Sequence, residues 1–221
     1  MSDEIEAVTE GAKAVQEVAK TTGKAVDLVQ AGGSYLAQML GTVPEDVVGL
    51  LGGDYLRQIR IRNWNQIGEK TFRDFKDRGV GEPRPLDAKH VVPLLEAASL
   101  ESDETLQGMW AQLLANAMDP SSDVSLQRVL IDTLRQFEPI DAAVLGYYAT
   151  ADNPGFRSPS QVAKSMDWRP TECAVSVQRL EALGCLDNIK QHVGRPPGLR
   201  TEYQISALGT ELCRACLAKL G

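Results

Sequence analysis

Apolar residues recur every three or four positions along residues 8–40, which is the spacing of one face of an α-helix. The residues in this stripe are Val8, Ala12, Val15, Ala19, Thr22, Val26, Val29, Gly33, Leu36 and Leu40. Ala, Gly and Thr fill much of it, so the helix would bury little apolar area per turn. Small residues instead let another helix or a membrane surface approach closely. The larger members form a candidate face for a partner or a membrane: Val8, Val15, Val26, Val29, Leu36 and Leu40.

The helical pattern continues to about residue 150. Pro44 can open a short helix to Leu51, and Asp54 can cap a longer helix that Gly79 and Gly81 end. Four further apolar stripes predict core helices within DAKHVVPLLEAASL, ESDETLQGMWAQLLANAMDP, VSLQRVLIDTLRQF and DAAVLGYYA. In the third of these, the residues expected inside are Leu126, Val129, Leu130 and Leu134. The order predicts a helical bundle over residues 54–150.

The pattern changes after the turn-rich stretch ADNPGF. Ser158, Pro159 and Gln161 form a capping sequence for a helix in SPSQVAKSM, and Gly184 ends a second helix that follows DWRP. Two strand-like runs, CLDNIKQHV and LRTEYQIS, flank the loop GRPPG, and ALGTELCRACLAKL forms a last helix. The order helix, turn, helix, strand, loop, strand, helix resembles the winged helix-turn-helix of bacterial regulators over about residues 156–220.

That resemblance implies that the second helix is a recognition helix and that the loop is a wing. The residues expected on the outward face of the helix are Thr171, Glu172, Ser176 and Gln178. Arg195 and Arg200 would lie on the wing, near phosphates or in a minor groove. The helix carries one basic residue, Arg179, so a protein-interaction module is the alternative interpretation of this domain. The candidate nucleic-acid contacts are Thr171, Ser176, Arg179, Arg195 and Arg200.

Charge is distributed unevenly along the chain, whose formal net charge is −7. Residues 54–84 carry 8 basic and 5 acidic groups, and residues 154–221 carry 9 and 6, while the other segments are acidic. DNA affinity rises with the number of phosphates neutralised, so a surplus of three predicts weak DNA binding. In residues 54–84 the basic and acidic side chains fall three or four positions apart. This segment is therefore interpreted as a solvated helix face with ion pairs along it.

Candidate catalytic and metal-binding residues are few. All four cysteines lie in the last quarter of the chain and are expected to be reduced packing residues. Cys213 and Cys216 form a CxxC pair, which without a second pair is weak evidence for zinc. The two histidines, His90 and His192, are far apart, and the sequence has no glycine-rich phosphate loop, HExxH or GxSxG motif. We therefore expect no enzyme activity, no metal and no cofactor.

The sequence also bears on location. Asp3, Glu4 and Glu6 stand where a secretion signal would carry positive charges. The longest run without charge, Leu28 to Pro44, is shorter than the roughly 20 apolar residues that a membrane-spanning helix needs. The expected location is the cytoplasm, with peripheral attachment to the inner membrane as an alternative.

Several phrases taken together resemble the abortive-infection alpha family. They are AGGSYLAQMLG, GLLGGDYLRQIRIRNWNQIGEK, PLLEAASLESDETLQGMWAQLLANAMDP and LIDTLRQFEPIDAAVLGYY. The resemblance spans about residues 10–150, and its most specific part runs from Pro93 to Pro120. It implies bacterial antiphage defence, in which an infected cell stops phage production or dies before progeny are released. It supplies no catalytic motif.

The resulting prediction is a mainly α protein in three parts. Residues 1–53 form a small-residue amphipathic helical segment, residues 54–150 a helical bundle, and residues 155–221 a winged helix-turn-helix domain with a small two-stranded β wing. The predicted function is non-enzymatic antiphage defence, as a sensor or effector acting through protein or membrane contacts. The alternative is a winged-helix DNA-binding regulator of a defence operon. The expected partner is a protein encoded nearby or a phage component, and membrane lipid, weak DNA binding and a homodimer stay open.

Overall fold

The computed structural model describes residues 54–150, 157–189 and 202–217. Within these residues the chain forms eight helices and two short strands, so the predicted mainly α fold with a small two-stranded sheet is confirmed. The elements are α1 (Asp54–Arg78), α2 (Ala88–Ala98), α3 (Glu104–Met118), α4 (Arg128–Leu134), α5 (Pro139–Thr150), α6 (Pro159–Met166), α7 (Pro170–Ala182), β1 (Leu186–Asn188), β2 (Tyr203–Ile205) and α8 (Ala207–Cys216).

Local sequence signals start and end several of these helices. The carboxylate of Asp103 accepts hydrogen bonds from the backbone N–H groups of Thr105 and Leu106 and so caps α3. Ser158 caps α6 in a capping box with Gln161, as the sequence predicts. Gly184 follows α7 with φ at +75°, a backbone conformation that favours glycine, which confirms its predicted place after the helix.

Helix α3 is the centre of the fold. It packs against α1 on one side and α8 on another. Eleven of its 15 residues are buried, including Trp110, Leu113 and Leu114. A helix that is apolar on most of its surface must be covered on most sides, which explains why α1, α5 and α8 surround it.

The sheet is small and antiparallel. Leu186 lies opposite Ile205 and Asn188 lies opposite Tyr203. Arg157 extends the sheet by one bridge, because its backbone exchanges two hydrogen bonds with Tyr203, of 2.9 and 3.0 Å. The order of α6, α7, β1, β2 and α8 agrees with the element order predicted for the C-terminal part. The winged-helix assignment itself stays a prediction, since the wing loop lies outside the described residues.

One continuous hydrophobic core joins the elements on both sides of residues 151–156. It includes Trp110 and Leu114 of α3 together with Val177 of α7 and Leu212 of α8. The boundary predicted near residue 150 therefore separates two segments that pack against each other.

The stretch VSLQRVLIDTLRQF differs from its predicted form. Only Arg128–Leu134 is helical, and Val129 is 44% exposed, so its predicted interior position is wrong. The reason is that Val124 and Leu126 enter the core before the helix begins. The helix then turns Leu130, Ile131 and Leu134 inward and leaves Val129 outside.

Candidate interaction groove

A groove follows the seam between α1 and α3 and ends at α8. It consists of two adjoining cavities with volumes of about 520 and 440 Å³, and Asp74, Gln112 and Leu217 line both. Each volume is within the usual range for a binding pocket, about 300–1,000 Å³. We call this feature the charged groove. The residues that define it are Lys70, Arg73, Asp74, Asp77 and Arg78 of α1, Gly108, Gln112 and Asn116 of α3, Asp119 to Val124, and Arg214 and Leu217.

Arg78 is the hub of the inner wall. One Nη atom lies 2.7 Å from Asp74 Oδ2, and the other donates to Asn116 Oδ1 at 2.6 Å and lies 3.7 Å from Asp119 Oδ2. Asn116 in turn donates to the backbone carbonyl of Ala215 at 2.9 Å. The guanidinium therefore connects α1, α3 and α8 through two successive hydrogen bonds.

The pKa values of the two carboxylates around Arg78 are shifted in opposite directions. Burial raises the pKa of Asp74 above its usual value in spite of the neighbouring guanidinium. Burial acts in the same direction on Asp119, but hydrogen bonds from Ser121 and the charge of Arg78 outweigh it and lower the pKa of Asp119. Asp119 is therefore a carboxylate at neutral pH, and it holds both Arg78 and the start of the loop that follows α3.

The outer wall is formed by Arg214 of α8. Its guanidinium donates to both oxygens of Glu211, at 2.9 and 2.6 Å, and also pairs with Asp123. The hydrogen bonds from Arg214 to Glu211 raise the pKa of the arginine above its usual value. Because Asp123 belongs to the loop after α3, this ion pair ties the loop to α8.

Arg84 also contacts the loop after α3, through hydrogen bonds to two backbone carbonyls. Its Nε donates to the carbonyl of Ala117 and one Nη donates to the carbonyl of Val124, both at 2.6 Å. These two bonds span the loop from the end of α3 to the point where the chain re-enters the core. Arg78, Arg84 and Arg214 therefore all contact the segment from the end of α3 to Val124.

The floor of the groove has unused space. Gly108 lies in the second turn of α3, and a Cβ atom added to it would meet nothing within 4 Å. A glycine inside a helix costs about 0.5–1 kcal/mol relative to alanine, and no neighbouring described residue requires one at this position. The floor can therefore accept a close approach from outside the described fold.

The groove is built for charge pairing and hydrogen bonding. Its guanidinium groups face carboxylates, and the buried amide of Asn116 donates to a backbone carbonyl. In the part of the chain that the structure describes, no group of three or more His, Cys, Asp or Glu side chains could hold a metal ion.

One family of known proteins matches most of the chain. The model of one family, described as abortive infection alpha, matches residues 63–216. The chain belongs to the abortive infection alpha family. No curated protein and no solved structure matches it. Membership suggests a role in abortive infection, and the matched residues include α3, α8 and most of the charged groove.

In this member of the abortive infection alpha family, α7 differs from the recognition helix that the sequence predicts. Ser176 is 0% exposed and donates to Asp141 Oδ1 at 2.7 Å, so its predicted outward position is wrong. Arg179 lies 3.1 Å from Asp141 Oδ2 and 3.8 Å from Glu138 Oε1. The reason is that α7 packs against α5 through the face that carries both residues. Arg179 thus neutralises a carboxylate that is fully buried.

One row of exposed residues along the outer face of α7 is uncharged. Thr171, Val175, Gln178 and Ala182 are all exposed and follow one another at helical spacing. Val175 is 55% exposed. Arg169, at the start of the helix, pairs with Glu172. Of the candidate nucleic-acid contacts, only Thr171 is therefore exposed among the described residues, and Arg195 and Arg200 lie outside them.

The other predicted site lies outside the described residues as a whole. It is the candidate partner or membrane face, Val8, Val15, Val26, Val29, Leu36 and Leu40. Within the described residues, no helix is both long and apolar enough to cross a bilayer.

The cysteines are free thiols, as expected. Cys173, Cys185 and Cys216 are buried. Burial raises the pKa of Cys185 to about 11 and that of Cys213 to about 12. These thiols are therefore protonated at neutral pH and fill space in the core.

Sequence reasoning interpreted the α1 part of the charged groove as a solvated face. The predicted spacing of ion pairs is confirmed by Glu69–Arg73 at 3.4 Å and Asp74–Arg78 at 2.7 Å. The contacts from Arg78 to Asn116 and from Asn116 to Ala215 were not predicted, because they join residues 38 and 99 positions apart. The one local signal in the sequence is the pair of aspartates, Asp119 and Asp123, that flank Pro120 after α3.

Proposed function

We propose that this chain is a non-enzymatic component of abortive infection that recognises a protein partner through the charged groove. The observation that carries the proposal is the combination of both signs of charge with an open floor at Gly108. Groups that neutralise one another around a hollow surface favour binding over bond-making chemistry. The partner is a protein encoded nearby or a component of the phage.

The chemistry of the partner follows from the α1 wall. Two basic residues, Lys70 and Arg73, are followed along the cavity edge by two acidic residues, Asp74 and Asp77. The Arg73 side chain is 62% exposed, and its pair with Glu69 is a surface pair of the kind worth about 0–1 kcal/mol. A partner segment can therefore displace it at low cost. A segment that carries both acidic and basic side chains complements this wall, and charges of both signs would fix its direction.

Charge reversal on the α1 wall tests the proposal. The variant Arg73→Glu with Asp77→Lys keeps the net charge and exchanges the two signs that a partner would read. We expect cells that carry it to lose protection against phage, measured as the efficiency of plating. The amount of soluble protein and its melting temperature should stay unchanged, because both residues are exposed.

The matched control is Glu96→Lys with Arg135→Glu. It makes the same two charge changes at exposed positions on α2 and just after α4, away from the groove. This control should protect cells as well as the natural sequence does. Full protection by the groove variant would overturn the proposal.

A separate experiment tests the DNA-binding alternative. It depends on Arg195 and Arg200, and it predicts salt-sensitive binding to duplex DNA that is lost when both are changed to Ala. The uncharged outer line of α7 supports a protein contact for this helix instead. Binding to liposomes of bacterial lipid, lost on deletion of residues 1–53, would favour a membrane effector.

A further inference from the structure

The first turns of α1 carry an apolar surface that the described residues cover only in part. Leu56, Ile59, Asn63 and Ile67 follow one another at helical spacing, so they lie on one side of α1. Ile67 and Asn63 are 0% exposed, whereas Leu56 is 48% exposed. The apolar side of the helix therefore continues beyond the point at which the described core covers it.

A second leucine extends this surface. Asn63 Nδ2 donates to the backbone carbonyl of Ser99 at 3.1 Å, which places the end of α2 beside α1 at this point. Leu100, the next residue, is 50% exposed. We call the surface formed by Leu56, Ile59, Arg60, Asn63 and Leu100 the α1 start face.

Two buried polar atoms on the α1 start face have no partner among the described residues. Arg60 Nε and Asn63 Oδ1 are both inaccessible to solvent, and neither makes a hydrogen bond to the part of the chain that the structure describes. The first is a donor and the second is an acceptor. Buried polar groups are nearly always paired, because an unpaired group loses its bond to water and gains nothing in return. The face therefore needs an acceptor for Arg60 Nε and a donor for Asn63 Oδ1, in addition to apolar cover.

We propose that the α1 start face is the docking site for this chain's own residues 8–40, with the Thr22 hydroxyl between Arg60 and Asn63. A hydroxyl both donates and accepts, so it can serve Asn63 Oδ1 and Arg60 Nε together. Thr22 lies near the middle of the apolar stripe of residues 8–40 and is its one hydroxyl residue. Ala19 and Val26, one turn to each side of it, would cover the two leucines.

The length of the intervening chain allows this docking. Residues 41–53 join the stripe to α1, and 13 extended residues reach at most about 43–47 Å. The 25 residues of α1 span about 37 Å at 1.5 Å per residue. Residues 8–40 can therefore return along α1 and reach Arg60 and Asn63. Docking would bury the stripe, so a partner or a membrane that binds the stripe competes with α1 for it.

Amide hydrogen exchange on the full chain, read by mass spectrometry, tests the docking. We expect residues 8–40 to exchange more slowly than a free chain. The variant Leu56→Asp with Leu100→Asp should remove that protection without changing exchange in α3. The matched control, Val129→Asp with Val175→Asp, places the same charges at apolar positions of similar exposure and should leave residues 8–40 protected.

The hydroxyl is tested separately by two variants of Thr22. Thr22→Ser keeps the donor and the acceptor and should keep the protection, while Thr22→Val keeps the shape and should lose it. Free-chain exchange of residues 8–40 in the natural sequence, or protection that survives both aspartates, would overturn the proposal. Protection that rises with protein concentration would also overturn it, in favour of a second copy. The inference concerns a surface other than the charged groove. Its failure would therefore not change the efficiency of plating expected for the groove variant.

Discussion

The space available for an added methyl group differs between two glycines of this fold. Gly209 lies in the first turn of α8, where a Cβ atom would overlap the carbonyl oxygen of Cys185 and lie 2.9 Å from Ile205 Cγ1. The close approach arises because Ser206 caps the helix and also donates to the carbonyl of Gly184 at 2.6 Å. Gly108, in contrast, faces open space. The same substitution therefore has opposite expected effects at the two positions.

We predict that Gly209→Ala lowers the free energy of unfolding by about 1–3 kcal/mol, because α8 must move away from the Cys185 carbonyl to admit the methyl group. Gly108→Ala, the comparison variant, should raise it by about 0.5–1 kcal/mol through lower chain entropy in the unfolded state. Urea unfolding followed by circular dichroism measures both. A Gly209→Ala protein as stable as the natural one would show that α8 does not approach the Cys185 carbonyl so closely.

At the scale of the element, side-chain contacts connect the loop after α3 to its surroundings along its whole length. Arg84 bonds to both of its ends, Asp119 accepts from the N–H and the hydroxyl of Ser121, and Asp123 pairs with Arg214. Most of these partners are backbone carbonyls or arginines, which propensity scales do not count.

We predict that Arg84→Met lowers the free energy of unfolding by about 1–3 kcal/mol, because it leaves two backbone carbonyls without their donors. Methionine keeps most of the length of the side chain, so the loss is one of hydrogen bonds rather than of volume. The measurement is the urea midpoint together with amide exchange in residues 117–124, which should become faster. Arg135→Met, at an exposed position, is the control and should stay within about 0.5 kcal/mol of the natural chain.

At the scale of the whole molecule, the two segments predicted as separate domains share one core. Asn116 of α3 bonds to Ala215 of α8, and α8 packs against both α3 and α5. Elements that are far apart in sequence therefore bury the same surface. Segments that share a core are expected to unfold together.

We predict that Leu180→Ala in α7 lowers the urea midpoint of α3 as much as that of α7. Leu180 is 0% exposed, and truncation of a buried leucine costs about 2–5 kcal/mol. Amide exchange at a series of urea concentrations, read for peptides from each helix, separates the two midpoints. The control is Val175→Ala on the exposed side of α7. A fall confined to α7 would show two independent units.

The sequence by itself determined the features that depend on neighbours a few residues apart. Helical periodicity predicted the mainly α fold, and Ser158 and Gly184 marked the start of one helix and the end of another. Ion pairs four residues apart were predicted on α1 for the same reason. In each case the interacting groups are brought together by one element, so no knowledge of the fold is needed.

Only the tertiary structure decided which polar groups meet across the chain. It turned Ser176 and Arg179 inward onto Asp141, left Val129 in solvent, and brought Arg78, Asn116 and Ala215 together at the charged groove. A side chain at a helix surface has the same local sequence whether or not another helix covers it. Its burial and its partners depend on how distant elements pack, and that packing is set by the whole core at once.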